Sequence, residues 1–382
     1  MFGRSWSVAA IALAAFMAAD GACAAPAETV LYSFEGKHGV HPRSGLIRDK
    51  SGTFYGTTLH GGKLNVGTVY LFENGKLTVL HSFKGEGDGA FPNAGVTLDG
   101  KGNIFGTTAG ADVSTDFGTI FKLLPSGKEK KLHVFQATPD GNNPQSALVL
   151  GPDGNYYGTA ANGAVGAGDV FKISPNGTFS VVYSFLASTD GGNPVARLLS
   201  DGSGTFYGTT YNNGAHAWGT VFSVTLGGSE HVVYSFTGGV DGRNPATGVI
   251  ADAGGNLYGT TYFGGTSDHG VVFKVSQDGT ETVLHSFTGG DDGANPLGDL
   301  LMDKKGNIFG TANQGGANGL GVVFEITAAG KFKTLHAFQG GQTGDGQNPC
   351  GDLYMDKVGV LYGTTQNGGT NASGTIYMLT TK

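Results

Sequence analysis

The four residues Tyr55-Gly56-Thr57-Thr58 (YGTT) decide the fold, because close copies of them recur along the whole chain. The seven copies occupy 55–58, 105–108, 157–160, 207–210, 258–261, 309–312 and 362–365. Their glycines run from Gly56 to Gly363 at a mean spacing of about 51 residues. Seven units of that length fill the chain after residue 24. Repeats of this length are typical of solenoids and propellers.

Each repeat contains four short apolar segments separated by turn residues. One repeat reads VVYSF (232–236), GVIAD (248–252), NLYGTT (256–261) and GVVFKV (270–275). Alternating β-branched and aromatic residues predict strands, and no helical period follows the first 24 residues. Four strands per repeat, seven times over, predict an all-β fold: a seven-bladed β-propeller of four-stranded blades.

Connection lengths predict the order of strands within a blade. Turn residues such as Asn74-Gly75 and Asp278-Gly279 join the third strand to the fourth by a hairpin. The longest connection leaves the YSF-type strand, so this strand is expected outermost and the GLI-type strand (45–47) innermost. Both sets of long loops then lie on one face of the propeller. The segment 30–34 is an outermost strand without a blade of its own, and we expect it to complete the seventh blade.

Three columns of aromatic residues are predicted to build the core, with one member per repeat. The first is Phe34, Phe83, Phe135, Phe185, Phe236, Phe287 and Phe338. The second is Tyr55, Phe105, Tyr157, Tyr207, Tyr258, Phe309 and Tyr362. The third is Tyr70, Phe121, Phe171, Phe222, Phe273, Phe324 and Tyr377.

Composition excludes several classes of protein. The chain has 382 residues, of which 70 are glycine and 14% are charged. A net charge of −7 gives no basic surface for nucleic acid. Two cysteines cannot form a disulfide scaffold.

The N-terminal segment 1–24 is predicted to be a signal peptide. Arg4 precedes an apolar stretch (8–19) that is too short to span a bilayer, and Ala22-Cys23-Ala24 fits a cleavage site. Acylation of Cys23 is a less favoured alternative, because Asp20 stands where a lipoprotein signal has an aliphatic residue. The mature chain, 25–382, is expected to be exported to the periplasm or the exterior. It has no further membrane span.

The assembled repeat, with Asp-Gly-x-Asn-Pro, GNLYGTT, Gly-Gly and GTVFKL-type segments, resembles the GloVer tandem repeat of exported bacterial proteins. The resemblance covers about 28–380 and implies export and a propeller-like fold. It implies no catalytic residues. Some members carry a C-terminal sorting anchor, and this sequence ends at Lys382 without a hydrophobic tail.

The Asp-Gly-x-Asn-Pro motif occupies the longest loop and is interpreted as a turn. Its acidic residues are Asp88, Asp140, Asp190, Asp241, Asp292 and Asp345, and its amides are Asn143, Asn193, Asn244, Asn295 and Asn348. Calcium binding is the alternative, but each loop supplies a single carboxylate. Four histidines share one outer-strand position with tyrosines, namely His81, His133, His285 and His336. They are not expected to converge on one ion, so neither a metal site nor a cofactor is predicted.

Positions at which the repeats differ are the better candidates for function, because the fold does not require them. The first position of the innermost strand reads Gly45, Gly95, Ala147, Arg197, Gly248, Asp299 and Asp352. Only residues of innermost strands and their loops can meet at the centre of a propeller. The three charges therefore predict either a solvated ion pair or a polar ligand site at the mouth of the central funnel.

The loop after YGTT is the other variable region. Its aromatic and polar residues are Tyr211, His216 and Trp218 in one repeat and Tyr262, Phe263, Asp268 and His269 in the next. Exposed aromatic residues on neighbouring loops favour a platform for sugar rings or a protein partner. Packing within the loops is the alternative.

The sequence contains no Gly-x-Ser-x-Gly, His-Glu-x-x-His or P-loop motif. The favoured interpretation is a binding or interaction module with a polysaccharide or protein ligand on the long-loop face. The alternative is a propeller hydrolase or lyase with its chemistry in the funnel, carried by Asp299, Asp352 and a nearby histidine. A purely structural envelope protein is a third possibility. An enzyme should show carboxylates whose pKa values are raised by proximity.

Overall fold

The computed structural model describes residues 27–381, apart from 86, 111–115, 137, 164–165 and 342–343. Strands in this part of the chain form seven antiparallel sheets, one per repeat, which confirms the seven-bladed β-propeller. The predicted signal peptide, 1–24, lies outside the described residues. Within them, Gly36–His38 forms a three-residue 3-10 turn, and no helix has the length and hydropathy to cross a bilayer.

The blades are numbered in chain order, and each is given with its strands. Blade 1 is β2 (Ile47–Arg48), β3 (Phe54–Thr58), β4 (Thr68–Glu73) and β5 (Lys76–Ser82). Blade 2 is β6 (Thr97–Leu98), β7 (Ile104–Thr108), β8 (Thr119–Leu123) and β9 (Glu129–Val134). Blade 3 is β10 (Asn142–Pro144), β11 (Val149–Leu150), β12 (Tyr156–Asn162), β13 (Asp169–Ile173) and β14 (Phe179–Ser184). Blade 4 is β15 (Leu199–Ser200), β16 (Thr205–Thr210), β17 (Thr220–Thr225) and β18 (Glu230–Ser235).

The remaining blades follow the same plan. Blade 5 is β19 (Ile250–Ala251), β20 (Leu257–Thr261), β21 (Val271–Val275) and β22 (Glu281–Ser286). Blade 6 is β23 (Ala294–Pro296), β24 (Leu301–Met302), β25 (Ile308–Gln314), β26 (Val322–Ile326) and β27 (Phe332–Ala337). Blade 7 is β28 (Gly346–Pro349), β29 (Tyr354–Met355), β30 (Val360–Gly368) and β31 (Thr375–Thr380), completed by β1 (Ala27–Ser33).

Strand pairing confirms the predicted order within the blades and the closure of the propeller. In blade 1 the order is β2-β3-β4-β5, from the GLI-type strand to the YSF-type strand. In blades 3, 6 and 7 the innermost strand is split in two, and both pieces pair with the same second strand. Strand β1 pairs with β31, with Glu28 opposite Leu379 and Ser33 opposite Thr375. The first described residues therefore supply the outermost strand of the last blade, and the two ends of the propeller are joined within one sheet.

The core is built by two aromatic columns completely and by the third in part. All seven residues of the Phe34 column and all seven of the Tyr70 column are at most 1% exposed. In the second column Tyr55, Tyr207 and Tyr362 are only half-buried, so the prediction of a wholly buried column is wrong at these positions. The Tyr55 hydroxyl reaches the Asp49 carboxylate at 3.1 Å, so it extends out of the core toward the short-turn face.

The glycine of YGTT is required by packing. An added Cβ at Gly208 would lie 2.7 Å from Cζ of Phe222 in the next strand, and the other six copies meet the Tyr70-column residue of their own blade in the same way. The second threonine of the motif pairs with the threonine that begins the third strand, as in Thr58 and Thr68 (2.8 Å between hydroxyl oxygens). The repeated motif is thus explained by contacts within the blade.

Candidate functional site

Seven residues that follow the loop proline surround the mouth of the central funnel, and we call them the entrance ring. They are Arg43, Asn93, Gln145, Val195, Ala246, Leu297 and Cys350. Each proline is buried against the glycine that precedes the third strand of the preceding blade; Cδ of Pro92, for example, would be 2.5 Å from a Cβ on Gly67. This contact fixes the residue after each proline at the long-loop end of the funnel.

A second ring lies two residues further along each innermost strand, and we call it the throat ring. Its members are Gly45, Gly95, Ala147, Arg197, Gly248, Asp299 and Asp352, the variable position identified in the sequence. Asp299 and Asp352 lie in neighbouring blades, as predicted, and Arg197 lies two blades before Asp299. All three charged residues line the same cavity.

The two throat carboxylates bind the backbone of the preceding blade. Oδ1 of Asp352 accepts a hydrogen bond from the backbone N–H of Asp299 at 2.9 Å. Oδ1 of Asp299 accepts one from the backbone N–H of Gly248 at 2.6 Å. Burial, reinforced by the charge of Asp352, raises the pKa of Asp299 to about 7, and Arg197 opposes this rise. A carboxyl group with such a pKa exchanges its proton near neutral pH.

The cavity itself has a volume of about 500 Å³ and takes lining residues from all seven blades. Loop residues extend it toward the long-loop face, among them Asn162, Asn193, Tyr211, Asn212 and Gln366. Several of these amides hold one another: Nδ2 of Asn212 donates to Oδ1 of Asn193 at 2.9 Å. The wall of the cavity therefore combines a few rigid amides, one tyrosine ring and four charged side chains.

The predicted aromatic platform divides between the cavity and the outer loops. Tyr211 lines the cavity. The rings of Tyr262 and Phe263 meet edge to face, with 4.6 Å between centroids. The guanidinium of Arg243 lies between Trp218 and Phe263, at 5.1 and 4.8 Å from their ring centroids.

Arg243 also anchors the acidic residue of the platform. Its Nη2 is 2.7 Å from Oδ2 of Asp268, and the Trp218 ring is 38% exposed. His216 is exposed on the same loop as Trp218. His269 occupies in its own repeat the place of Trp218 and packs close to Gly289. Trp218, Phe263, Asp268 and Arg243 thus form one surface cluster, outside the cavity.

The Asp-Gly-x-Asn-Pro loops make structural contacts. Each acidic residue meets the histidine or tyrosine of the preceding outer strand, as in His285–Asp292 (3.0 Å) and Tyr183–Asp190 (3.0 Å). The asparagines take left-handed backbone angles, and Nδ2 of Asn244 donates to the carbonyl of Tyr211 at 2.9 Å. These bonds support the interpretation of the loops as turns.

One group of side chains among the described residues has the types and spacing of metal ligands. Ligand atoms of Glu28, His336 and Asp345 lie within 4.8 Å of one another, where β1 packs against blade 6. The four outer-strand histidines themselves lie in four different blades and do not meet. Burial, reinforced by Asp345 and opposed by His336, raises the pKa of Glu28 to about 7.

The analysis of the sequence missed the entrance ring. Arg43, Asn93, Gln145 and Cys350 line the cavity but were not selected. The signal was present, because the residue after the loop proline differs in every repeat.

Seven four-stranded blades around a funnel with polar side chains define a propeller-type repeat protein. The model of the Gloeobacter/Verrucomicrobia repeat matches residues 22–217 and 197–382, and the chain belongs to that family. This confirms the resemblance drawn from the repeated motifs. No sequence match to a curated protein was found.

Two solved structures share the fold. The extracellular domain of a candidate one-component system from B. thetaiotaomicron matches with a TM-score of 0.54 and 8% identity, over 88% of this chain and 38% of that one. This chain therefore spans well under half of that protein's length. A candidate 6-phosphogluconolactonase from Bacteroides uniformis matches with a TM-score of 0.52 and 18% identity, over 76% of this chain and 83% of that one. At these low sequence identities, the similarity to the two structures shows a shared fold only.

Proposed function

We propose that this protein is an exported binding module that holds a saccharide in the funnel, entered from the long-loop face. The observation that carries the proposal is the cavity of about 500 Å³, whose wall brings polar side chains together from far-separated repeats. That volume lies in the usual range for small-ligand sites, which combine an apolar lining with a few placed polar groups.

The shape of the site favours a saccharide over a protein partner. A protein interface of ordinary size buries roughly 800 Å² on each partner, and a narrow funnel does not offer such a surface. Tyr211 supplies an aromatic face inside the cavity, and amides such as Asn162 and Gln366 supply hydrogen-bonding groups. A sugar has matching apolar faces and hydroxyl edges.

The proposed location follows from the N-terminal segment. If 1–24 is a signal peptide, N-terminal sequencing of the protein from its native host should begin at Ala25. If the protein recovered from the cells still began at Met1, the segment 1–24 would not have been removed. That result would contradict export.

The test uses the mature chain, 25–382, on an array of saccharides followed by titration with the best binders. The segment 25–382 contains one of the two tryptophans of the sequence, Trp218, which lies outside the cavity. If the ligand occupies the funnel, Tyr211→Ala should weaken binding and Trp218→Ala should leave it unchanged. The opposite result would place the ligand on the outer cluster, and binding of no saccharide would reject the proposal.

A second candidate function is hydrolysis or elimination in the funnel, and it rests on the raised pKa of Asp299. A carboxylic acid with a pKa of about 7 can donate a proton at neutral pH, beside the carboxylate of Asp352. Asp299→Asn should then abolish release of reducing ends from a bound saccharide while binding persists. Equal product release by the parent and the variant would reject this function.

A further inference from the structure

The entrance ring is divided into two arcs of different chemistry. Blades 1–3 contribute a polar arc and blades 4–7 an apolar arc. The polar arc is Arg43, Asn93 and Gln145, and the apolar arc is Val195, Ala246, Leu297 and Cys350. All seven occupy the same position of the repeat, which accepts both kinds of side chain. The fold therefore does not require the polarity of the first three.

The polar arc presents mainly hydrogen-bond donors to the cavity. Nδ2 of Asn93 donates to Oε1 of Gln145 at 3.0 Å, so this oxygen already accepts one hydrogen bond and the amide hydrogens of Gln145 remain as donors for a ligand. The guanidinium of Arg43 is exposed and forms no ion pair with any carboxylate of the described residues. A ligand that meets this arc must supply acceptors, and a planar anion fits a guanidinium best.

Among the described residues, neither acid of the throat ring forms an ion pair with Arg43. Asp299 and Asp352 each use one carboxylate oxygen on a backbone N–H of the preceding blade. Arg197, the other guanidinium of the cavity, is exposed in blade 4 and counteracts the rise in the pKa of Asp299. Of the two arginines that line the cavity, Arg43 is the one that shares its arc with the further hydrogen-bond donors of Asn93 and Gln145.

We propose that the funnel recognises an acidic saccharide, with a sugar carboxylate bound by Arg43 and Gln145 and the apolar face of the sugar against the arc of Val195, Ala246 and Leu297. This inference rests on the proposed function and names the ligand class of the same site. It predicts discrimination between uronic-acid polymers and neutral polymers of the same linkage, because only the former carry the planar anion.

The experiment is calorimetric titration of the mature chain with galacturonate and mannuronate oligomers, and with galactose and mannose oligomers of equal length. The acidic oligomers should bind at least roughly ten-fold more tightly. Their affinity should fall between about 50 and 500 mM NaCl, because the pair is electrostatic. Arg43→Gln should weaken the binding of acidic oligomers far more than that of neutral oligomers, and so remove the preference for acidic ones.

Two further variants make the result specific. Arg43→Lys keeps the charge but loses the planar fork, so it should recover only part of the preference. Arg48→Gln is the matched control, because its guanidinium stacks on Phe54 (4.9 Å to the centroid) and does not line the cavity.

The outcomes separate this inference from the proposed function. Equal affinity for acidic and neutral oligomers, or an acidic preference that survives Arg43→Gln, would overturn the inference and leave saccharide binding in place. Binding of no oligomer at all would reject saccharide binding itself. Circular dichroism of Arg43→Gln should match the parent, since the side chain is exposed.

Discussion

The hydroxyl of Thr57 donates a hydrogen bond to the backbone carbonyl of Ala94 at 2.8 Å, which joins blade 1 to the innermost strand of blade 2. The third residue of YGTT makes the same bond to the next blade in Thr107–Ser146, Thr159–Ala196, Thr209–Thr247 and Thr364–Ser44. The last of these links blade 7 to blade 1, so the propeller is closed at its centre as well as at its rim.

Thr364→Val should destabilise the protein by about 1–3 kcal/mol, because the shape is kept and the buried carbonyl of Ser44 loses its donor. The measurement is the free energy of unfolding in urea, for the mature chain. Thr311→Val is the matched control. Its Oγ1 is buried without a hydrogen-bond partner among the described residues, so this change should cost nothing or stabilise the protein. Equal losses in the two variants would contradict a special role for the bond between blades.

Gly208→Ala should cost about 1–3 kcal/mol, because its new methyl group would lie 2.7 Å from Phe222 and 2.9 Å from Leu198, and the core would be overpacked. Gly100→Ala serves as the control, since no atom lies within 4 Å of a Cβ at that position. Urea unfolding of both variants measures the difference. If Gly208→Ala is as stable as the parent, packing does not explain the glycine of YGTT.

The blades were predictable because each strand has its own alternation of apolar and polar residues, and the seven repeats show this pattern at matching positions. Pairing between blades was not, since whether Thr57 reaches Ala94 depends on how two sheets approach each other. The half-buried position of Tyr55 was missed for a related reason. Its ring follows the core pattern, and its hydroxyl bonds Asp49 just as the buried Tyr157 bonds Asp153, so the difference in burial depends on how neighbouring sheets pack around each ring.

The cavity was predictable in part. Differences between repeats identified Arg197, Asp299 and Asp352, and the structure places all three in one wall together with Tyr211. The same comparison of repeats, made two residues earlier in each repeat, would have found Arg43 and the other members of the entrance ring. The sequence could not show that the loop residues around Trp218 lie outside the cavity. The course of that loop depends on contacts with partners such as Arg243.

Glu230 and Glu281 should make the propeller less stable as the pH rises. Burial, reinforced by Asp190 and Asp241 respectively, raises the pKa of each to about 7, against an ordinary 4.5. Between these values the folded chain holds protons that the unfolded chain releases. The stability that these two glutamates contribute to the folded chain is therefore complete below their ordinary pKa. It is lost as the pH rises through 7. The contribution of these two groups to the free energy of unfolding should be larger near pH 5 than near pH 8.

Replacing both glutamates with leucine tests this pH dependence, because Leu77 occupies the same repeat position in blade 1. The double variant should show a smaller loss of stability between pH 5 and pH 8 than the parent. Glu35→Leu is the control, because Lys37 lowers the pKa of Glu35. Replacing Glu35 should therefore not reduce the loss of stability between pH 5 and pH 8. An unchanged pH profile in the double variant would reject this origin.

Arg243→Gln should expose Trp218 and shift its fluorescence to longer wavelength, because the guanidinium covers the ring at 5.1 Å. The stability loss should stay below about 1 kcal/mol, since the cation–π contacts and the ion pair to Asp268 lie near the surface. The mature chain has this single tryptophan, so the spectrum reports one site. An emission maximum equal to that of the parent would show that Arg243 does not shield the ring.

The throat carboxylates offer a test in which two substitutions have opposite signs. Asp352→Asn should lower the pKa of Asp299, because the neighbouring negative charge is removed. Arg197→Gln should raise it, because the positive charge that favours the ionised form is lost. Carbon NMR of the labelled aspartate carboxyls across the pH range measures both values. If both substitutions move the pKa in the same direction, or neither moves it, the carboxyl and its two neighbours are not electrostatically coupled across the funnel. The second candidate function would lose its physical basis if the pKa of Asp299 in the parent proved to be near the ordinary 3.8.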